Sequence, residues 1–339
     1  MSLRYTFRFA ASAAITSLVA VALGGLSASS ARADLIYVTL GTNRVVTYDG
    51  SLGSAANVEG SEEVFIDADV ENLPTPYGIA RDSAGNVYVA NQFQDFVSKF
   101  NSEGVYQSRI TSAEGAGPFG LAFNAAGDLW VSNRFDSSLT RYNSAGALQQ
   151  TVTGTGQELT RPLGIAINNA GSIYTAVWTS DGINPPTNNS VAQFSSAGVY
   201  QTSFGTGTTP SEPPAPELSQ PYGIAINNAG SIYVTNAGTF PQSISIFNSA
   251  GVYQSSIIES DLALPIGIGI GFFGDIYVAN NSINTISKFN AAGEYQFSWT
   301  TPAAPGGLAV VPVPEPSTFA LAAVAGLAGL AILRRRRRG

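Results

Sequence analysis

Apolar residues in this chain fall in short alternating runs rather than in long one-sided stripes. Runs such as Val87-Tyr88-Val89-Ala90-Asn91 and Ile276-Tyr277-Val278-Ala279-Asn280 put every second side chain on one face, the period of a buried strand. The runs recur with fixed punctuation. A Pro-x-Gly-aliphatic opening is followed by a turn containing Gly and then by a strand ending in Asn. The opening glycines Gly78, Gly120, Gly164, Gly223, Gly267 and Gly307 lie 42, 44, 59, 44 and 40 residues apart. A period near 40 with several short strands in each unit predicts a β-propeller.

Each unit reads as four antiparallel strands. The first is small and close to the axis (Gly-Ile-Ala-Ile), and the second is Ile-Tyr-Val. The third is typified by Val97–Phe100 and the fourth by Val105–Ser108. Turns such as Asn169-Ala170-Gly171 and Asn101-Ser102-Glu103-Gly104 join them, with Asn bonding its own turn and Gly taking the positive φ. The sixth opening, Pro305-Gly306-Gly307-Leu308, has only one strand after it. The N-terminal part begins with a matching deficit, because Leu35–Val38 resembles a second strand and Arg44–Tyr48 a third. Whether Val64–Asp67 is the fourth stays open at this point. The expected fold is therefore all-β: a six-bladed propeller over residues 34–311, closed by a blade shared between N- and C-terminal strands. Closure removes sheet edges that would template aggregation. The Pro-x-Gly-Ile opening and the Gly-Asn-Val-Tyr-Val-Ala-Asn continuation resemble the NHL-repeat family, which usually has Asp where Asn91, Asn133, Asn236 and Asn280 stand here. The resemblance implies the propeller and leaves function open, since that fold hosts binders and enzymes alike.

Both ends of the chain read as signals. Arg4 and Arg8 precede an apolar run over 10–26, and Ala31-Arg32-Ala33 offers small residues at the two positions that a signal peptidase reads. Residues 1–33 are thus expected to be a secretory signal peptide cleaved after Ala33. At the other end stand Pro314-Glu315-Pro316, an apolar stretch of 17 residues over 317–333, and Arg334, Arg335, Arg336, Arg337 and Arg338. As a helix the stretch is about 25 Å long, at the short end of what spans a bilayer. The arginines would hold their end in the cytoplasm. These three parts over 312–339 resemble the PEP-CTERM sorting signal. That resemblance implies an exosortase that cleaves near Pro-Glu-Pro and passes the protein to the surface of a Gram-negative bacterium. Signal peptidase and exosortase are the expected partners in export, with transient anchoring through a transmembrane helix at 317–333.

Charge sharpens the picture of the body between the signals. It holds eight basic residues against 22 acidic ones, a net charge near −14, twice the −7 of the whole chain. So acidic a body is expected to repel nucleic acid and anionic membranes. The chain has no cysteine and no histidine. Stability must come from burial, zinc, copper and haem lose their usual ligands, and catalytic triads or dyads built on His are excluded. No catalytic residue, metal site or cofactor is expected; calcium is the ion that oxygen ligands leave open. A gluconolactonase-like hydrolase would need several oxygen ligands converging in the channel, but the inner strands carry almost no carboxylates. Asp82, Asp128 and Asp275 sit by turns on the other face.

Loops that join strand two to three, and one blade to the next, share one face. The largest departures, 178–189 and 205–220, fall there, and the second carries four prolines. The same face should display Tyr77, Phe119 and Tyr222 around the channel, together with Trp178, while Asn91, Asn133, Asn236 and Asn280 lie further out. Aromatic rings beside amides suit a sugar, whose apolar faces are edged with hydroxyls. Against this, an Asn at a strand end often caps its own turn and a Tyr beside Gly often plugs the channel. The leading expectation is a monomeric, non-catalytic binding or structural module for exopolysaccharide or a surface protein. The alternatives are a metal-dependent hydrolase or lyase and a protein–protein platform.

Overall fold

The computed structural model describes residues 34–50, 52–67, 72–154, 157–179, 189–205, 218–238 and 241–312. The expected leader with Ala31 and Ala33 lies outside the described residues. So do the tail with Pro314, Glu315, Pro316 and Arg334 to Arg338, and most of both long loops. Among the described residues no helix is long and apolar enough to cross a membrane.

The described residues form six four-stranded antiparallel sheets. From the axis outward, blade one comprises Pro76–Arg81, Val87–Asn91, Phe96–Phe100 and Tyr106–Thr111. Blade two comprises Pro118–Phe123, Leu129–Asn133, Ser138–Tyr142 and Leu148–Thr153. Blade three is Pro162–Ile167, Ile173–Val177, Ser190–Phe194 and Tyr200–Phe204, and blade four is Pro221–Ile226, Ile232–Asn236, Ser243–Phe247 and Tyr253–Ile258. Blade five is Pro265–Ile270, Ile276–Asn280, Thr285–Phe289 and Tyr295–Thr300. Blade six takes its inner strand, Pro305–Pro312, from the C-terminal side and the rest, Asp34–Leu40, Arg44–Asp49 and Glu63–Asp67, from the N-terminal side. The fourth-strand question is thereby answered, for Asp67 pairs with Arg44 and Ile66 with Val45.

Turn chemistry sets the blades' hairpins. The Asn or Asp that ends a strand accepts two backbone N–H groups of its own turn, as Asn101 Oδ1 does from Glu103 and Val105 at 3.0 and 2.9 Å. The turn after Pro162–Ile167 is capped by Asn168, one residue earlier than its neighbour Asn169, through Ala170 and Ser172. Alternation along the strands then buries both faces of each sheet between neighbouring blades. The second-strand aromatics Tyr37, Tyr88, Trp130, Tyr174, Tyr233 and Tyr277 are all buried.

The inner glycines explain the repeat. A Cβ on Gly78, Gly120, Gly164, Gly223 or Gly267 would fall 2.0–2.7 Å from the carbonyl oxygen of the residue before the matching glycine in the next blade. Gly307 stands 2.4 Å by the same measure from Tyr77 O, so the ring closes from blade six onto blade one. Thr39 Oγ1 stitches that joint, accepting from Gly307 N and donating to Tyr77 O, both at 2.8 Å. Apolar cores fill the gaps on either side of blade six. Tyr48 and Leu308 pack with Tyr277 and Trp299 of blade five, and Tyr37 and Val45 with Ile79 and Phe100 of blade one. Residues 34–312 thus close on themselves and hold their own core, a propeller complete without the flanking segments.

Candidate ligand-binding site

One face of the ring carries the loops from strand two to three and from each blade to the next. Backbone bonds tie these two loop types together: Gln92 N to Thr75 O, Arg134 N to Gly117 O, and Trp178 N to Arg161 O. This is the mouth face. At its centre the channel is lined by Tyr77, Phe119, Ile266, Gly306 and the inner strands, and it encloses only about 70 Å³. That volume suits a few waters, far below the several hundred Å³ of a small-molecule site. A shallower hollow of about 200 Å³ lies beside Tyr77 and Phe93, above blade six. The channel is too small to enclose a ligand of sugar size, and a hollow of about 380 Å³ lies on the opposite face against Phe272 and Phe273.

The four aromatic residues expected to matter do converge. Tyr77 and Phe119 have ring centroids 5.0 Å apart, Phe119 and Tyr222 6.2 Å, and Tyr222 and Trp178 6.1 Å. They come from four different blades. Phe119 is buried and acts as a floor, while Tyr77, Tyr222 and Trp178 are half-buried at the surface. Leu163, in the corresponding position of blade three, is buried and small enough to leave the line from Phe119 to Tyr222 unbroken. The shelf extends further than expected. Phe93 and Phe135, 60% and 49% exposed, lie 5.9 Å apart. Arg134 joins the two groups, its guanidinium carbon 5.9 Å from the Phe119 centroid, 5.7 Å from Phe135 and 5.5 Å from Trp178. Arg161 approaches Trp178 at 5.6 Å. Burial pushes the Tyr222 hydroxyl above the ordinary phenol range; the charge of Arg134 works against this and Tyr77 adds to it. Tyr222 therefore stays neutral and keeps its donor proton.

The four asparagines behave differently and require a correction. Asn91, Asn133, Asn236 and Asn280 are 0, 0, 4 and 0% exposed. Their Nδ2 groups donate into the neighbouring strand, for example from Asn280 to Ser287 Oγ at 2.7 Å and from Asn236 to Ser245 Oγ at 2.8 Å. Asn236 Oδ1 and Asn280 Oδ1 also accept the backbone N–H of Ser219 and Ala263 in the incoming loop. The position 17 residues before Asn91 is Pro74, which has no N–H, and Asn91 Oδ1 stands without a partner. These amides hold the mouth loops onto the sheets and are not offered to a ligand. Asn280→Ala should accordingly cost about 3 kcal/mol, by stranding the Thr285 hydroxyl and the Ala263 amide and leaving Ser287 with Ser298 alone. Asn91→Ala should cost less, because only half of its amide is engaged. Thermal melting of both variants checks this.

Sequence reasoning passed over Arg134, Arg161, Phe93 and Phe135. A signal existed for three of them: Asn91-Gln92-Phe93 and Asn133-Arg134-Phe135 repeat Asn-x-Phe in adjacent blades. The acids Asp82, Asp128 and Asp275 do lie at the opposite face. Asp82 caps its own turn, Asp128 is 3.8 Å from Arg141, and Asp275 is 3.0 Å from Lys288. Among the described residues no group of three or more acidic side chains comes together as a metal site.

Sheets, closure and stitched channel define a six-bladed β-propeller, and its last strand runs straight into a sorting signal. Residues 312–338 match the PEP-CTERM protein-sorting motif, which marks the chain for export and surface sorting. No curated protein matches the chain. Among solved structures, a chain of the nidogen/laminin complex is 14% identical with a TM-score of 0.66, over 82% of this chain and 98% of that one. A catalytically inactive virginiamycin B lyase from Staphylococcus aureus, solved with quinupristin, is 14% identical with a TM-score of 0.57, over 85% and 94%. A gluconolactonase from Xanthomonas campestris is 16% identical with a TM-score of 0.57, over 70% and 86%. Likeness at this level is a likeness of fold.

Proposed function

We propose that this chain is an exported, exosortase-processed propeller that binds carbohydrate at its mouth without catalysing a reaction. The observation that carries the reading is the aromatic shelf: side chains from four blades meet around a channel too narrow to take a substrate. Pyranose rings have apolar faces that lie flat on aromatic rings, and a shelf of this extent suits a chain of them. The six inner strands contain no carboxylate, so the channel offers no base and no oxygen cage of the kind a metal-dependent hydrolase needs. The lyase relative is inactivated by replacing a histidine, and this chain has none.

Export and display fit the same reading. Signal peptidase removes residues 1–33, the segment 317–333 anchors the chain for a time, and exosortase acts near Pro314-Glu315-Pro316. The product is held at the cell surface or in its matrix. Asp34 and Pro312 are cross-strand neighbours at the end of blade six away from the mouth.

The test is a glycan and matrix-component screen on the Asp34–Pro312 propeller, followed by titration of the strongest saccharide. Trp178→Ala and Tyr222→Ala should each weaken binding about tenfold, equivalent to about 1.4 kcal/mol. Their melting temperatures should stay close to that of the parent. Turnover of lactones on adding calcium would establish the hydrolase instead, and binding confined to proteins would establish an interaction platform.

A further inference from the structure

The mouth holds two cations that no carboxylate among the described residues pairs with. Elsewhere Arg44, Arg141 and Lys288 have Asp67, Asp128 and Asp275 at 2.9, 3.8 and 3.0 Å, while Arg81, Lys99 and Arg109 have no carboxylate within salt-bridge distance among the described residues. Arg134 and Arg161 have no carboxylate within salt-bridge distance among the described residues, although both lie over the same indole, that of Trp178. Glu158, just before Arg161 in the chain, is engaged in another interaction, and Asp95 and Asp136 are committed to their own loops. Asp95 accepts from Gly115 N and Gly117 N at 2.8 Å each, and Asp136 accepts from Ser138 Oγ at 2.8 Å. Arg134 Nε is buried and without a partner. Gln92 takes the same place in blade one that Arg134 takes in blade two and Trp178 in blade three, directly after the second strand. It is wholly buried, and both its amide oxygen and its amide nitrogen lack partners. Unmet polar groups of this kind are costly in a folded protein and call for an explanation. Arg141 Nε and the indole nitrogens of Trp130 and Trp299 are likewise unpartnered elsewhere, but Gln92 and Arg134 follow the second strands of adjacent blades on the mouth face.

The rings at the mouth also differ from those in the core. Tyr77–Phe119, Trp178–Tyr222 and Phe93–Phe135 are inclined by 34, 33 and 35°. Core pairs such as Tyr37–Phe65, Tyr277–Trp299 and Phe289–Tyr295 stand at 86, 72 and 71°. Phe119–Tyr222 is inclined by 53°; tilted pairs present part of their faces together, where edge-to-face pairs fill volume.

We infer that the saccharide taken at the mouth is acidic: a chain of uronate sugars whose rings lie on the Trp178–Tyr222 part of the shelf and whose carboxylates are held by Arg134 and Arg161. This rests on the carbohydrate reading above and adds the charge of the ligand. A guanidinium stacked on rings keeps its N–H donors in its own plane, where they match a carboxylate in pairs. The ligand supplies a counter-charge that these two guanidinium groups do not find among the described residues. Because the rest of the body repels anions, attachment is local and weakens as salt is added.

The experiment is calorimetric titration of the Asp34–Pro312 propeller with oligogalacturonate, with the same oligomer reduced to its neutral sugar, and with poly-glutamate. Oligogalacturonate should bind at least tenfold more tightly than its reduced form, and more weakly at high salt. Arg134→Met, which keeps an apolar stem over the rings, should lose about tenfold, with Arg134→Lys in between. Arg161→Gly should lose a similar factor and fold normally. The residue before the proline has φ of 46° at Arg161, and glycine already fills that place in blade two, where Gly117 has φ of 64°. Equal affinity for acidic and reduced oligomers, lost in Trp178→Ala but untouched in both arginine variants, would overturn the inference and leave the carbohydrate reading standing. Poly-glutamate binding as tightly as the sugar, unaffected by Trp178→Ala, would overturn both.

Discussion

A propeller ending at Ala304, without the strand Pro305–Pro312, should show no cooperative unfolding transition and should elute as aggregate. Four structural losses coincide. The strand Asp34–Leu40 loses its partner along its whole length, from Asp34 opposite Pro312 to Leu40 opposite Pro305. Gly267 and Tyr77 lose their neighbours in the inner ring, where Gly306 and Gly307 stand. Thr39 Oγ1 loses Gly307 N. Leu308 leaves the core between blades five and six, and Ala309 and Val311 leave the one between blades six and one. The exposed edge of Asp34–Leu40 then becomes a template for pairing between molecules. Circular dichroism melts and gel filtration of Asp34–Ala304 against Asp34–Pro312 decide the matter. A truncated form that melts in one sharp step near the parent temperature would mean that closure contributes little.

Gly164→Ala should cost about 3 kcal/mol, the upper range for forcing a methyl group into packed structure. The added carbon would lie 2.5 Å from Tyr222 O, 2.8 Å from Ile224 N and 3.0 Å from Gly223 Cα, all backbone atoms of the next blade. No rotamer change relieves such a contact, so the two blades must part. For a propeller of this size the cost is a fall in melting temperature of about 5 °C. Gly53→Ala is the control. A Cβ there has nothing within 4 Å, and the expected change is within about 0.5 kcal/mol. Equal effects from the two alanines would mean that the inner glycines are not set by contact between blades. The clash also bears on the site, because Tyr222 O is the atom struck and its ring belongs to the shelf.

The repeat was open to reading because its causes are local. A Pro-x-Gly opening, an Asn that caps its turn and an alternating strand each act within a few residues, and their recurrence at a near-constant period leaves few folds to choose from. Even closure followed from counting strands at the two ends. The four aromatic residues were legible for the same reason, since each occupies a position that the repeat had already assigned to one face.

Other features depended on partners that the chain brings from far away. Asn91, Asn133, Asn236 and Asn280 stand at strand ends, where a polar side chain is expected to face the loops. Only the incoming loop, 17 residues earlier in the chain, and the hydroxyls of the third strand bury them. Arg134 reads as a loop cation until Phe119, Phe135 and Trp178 are seen around it. Short-range preferences and strand period were enough to specify six sheets in a ring. The chemistry of the mouth arose instead from contacts across blades: the repeat puts these residues on one face, but which of them touch depends on how neighbouring blades pack.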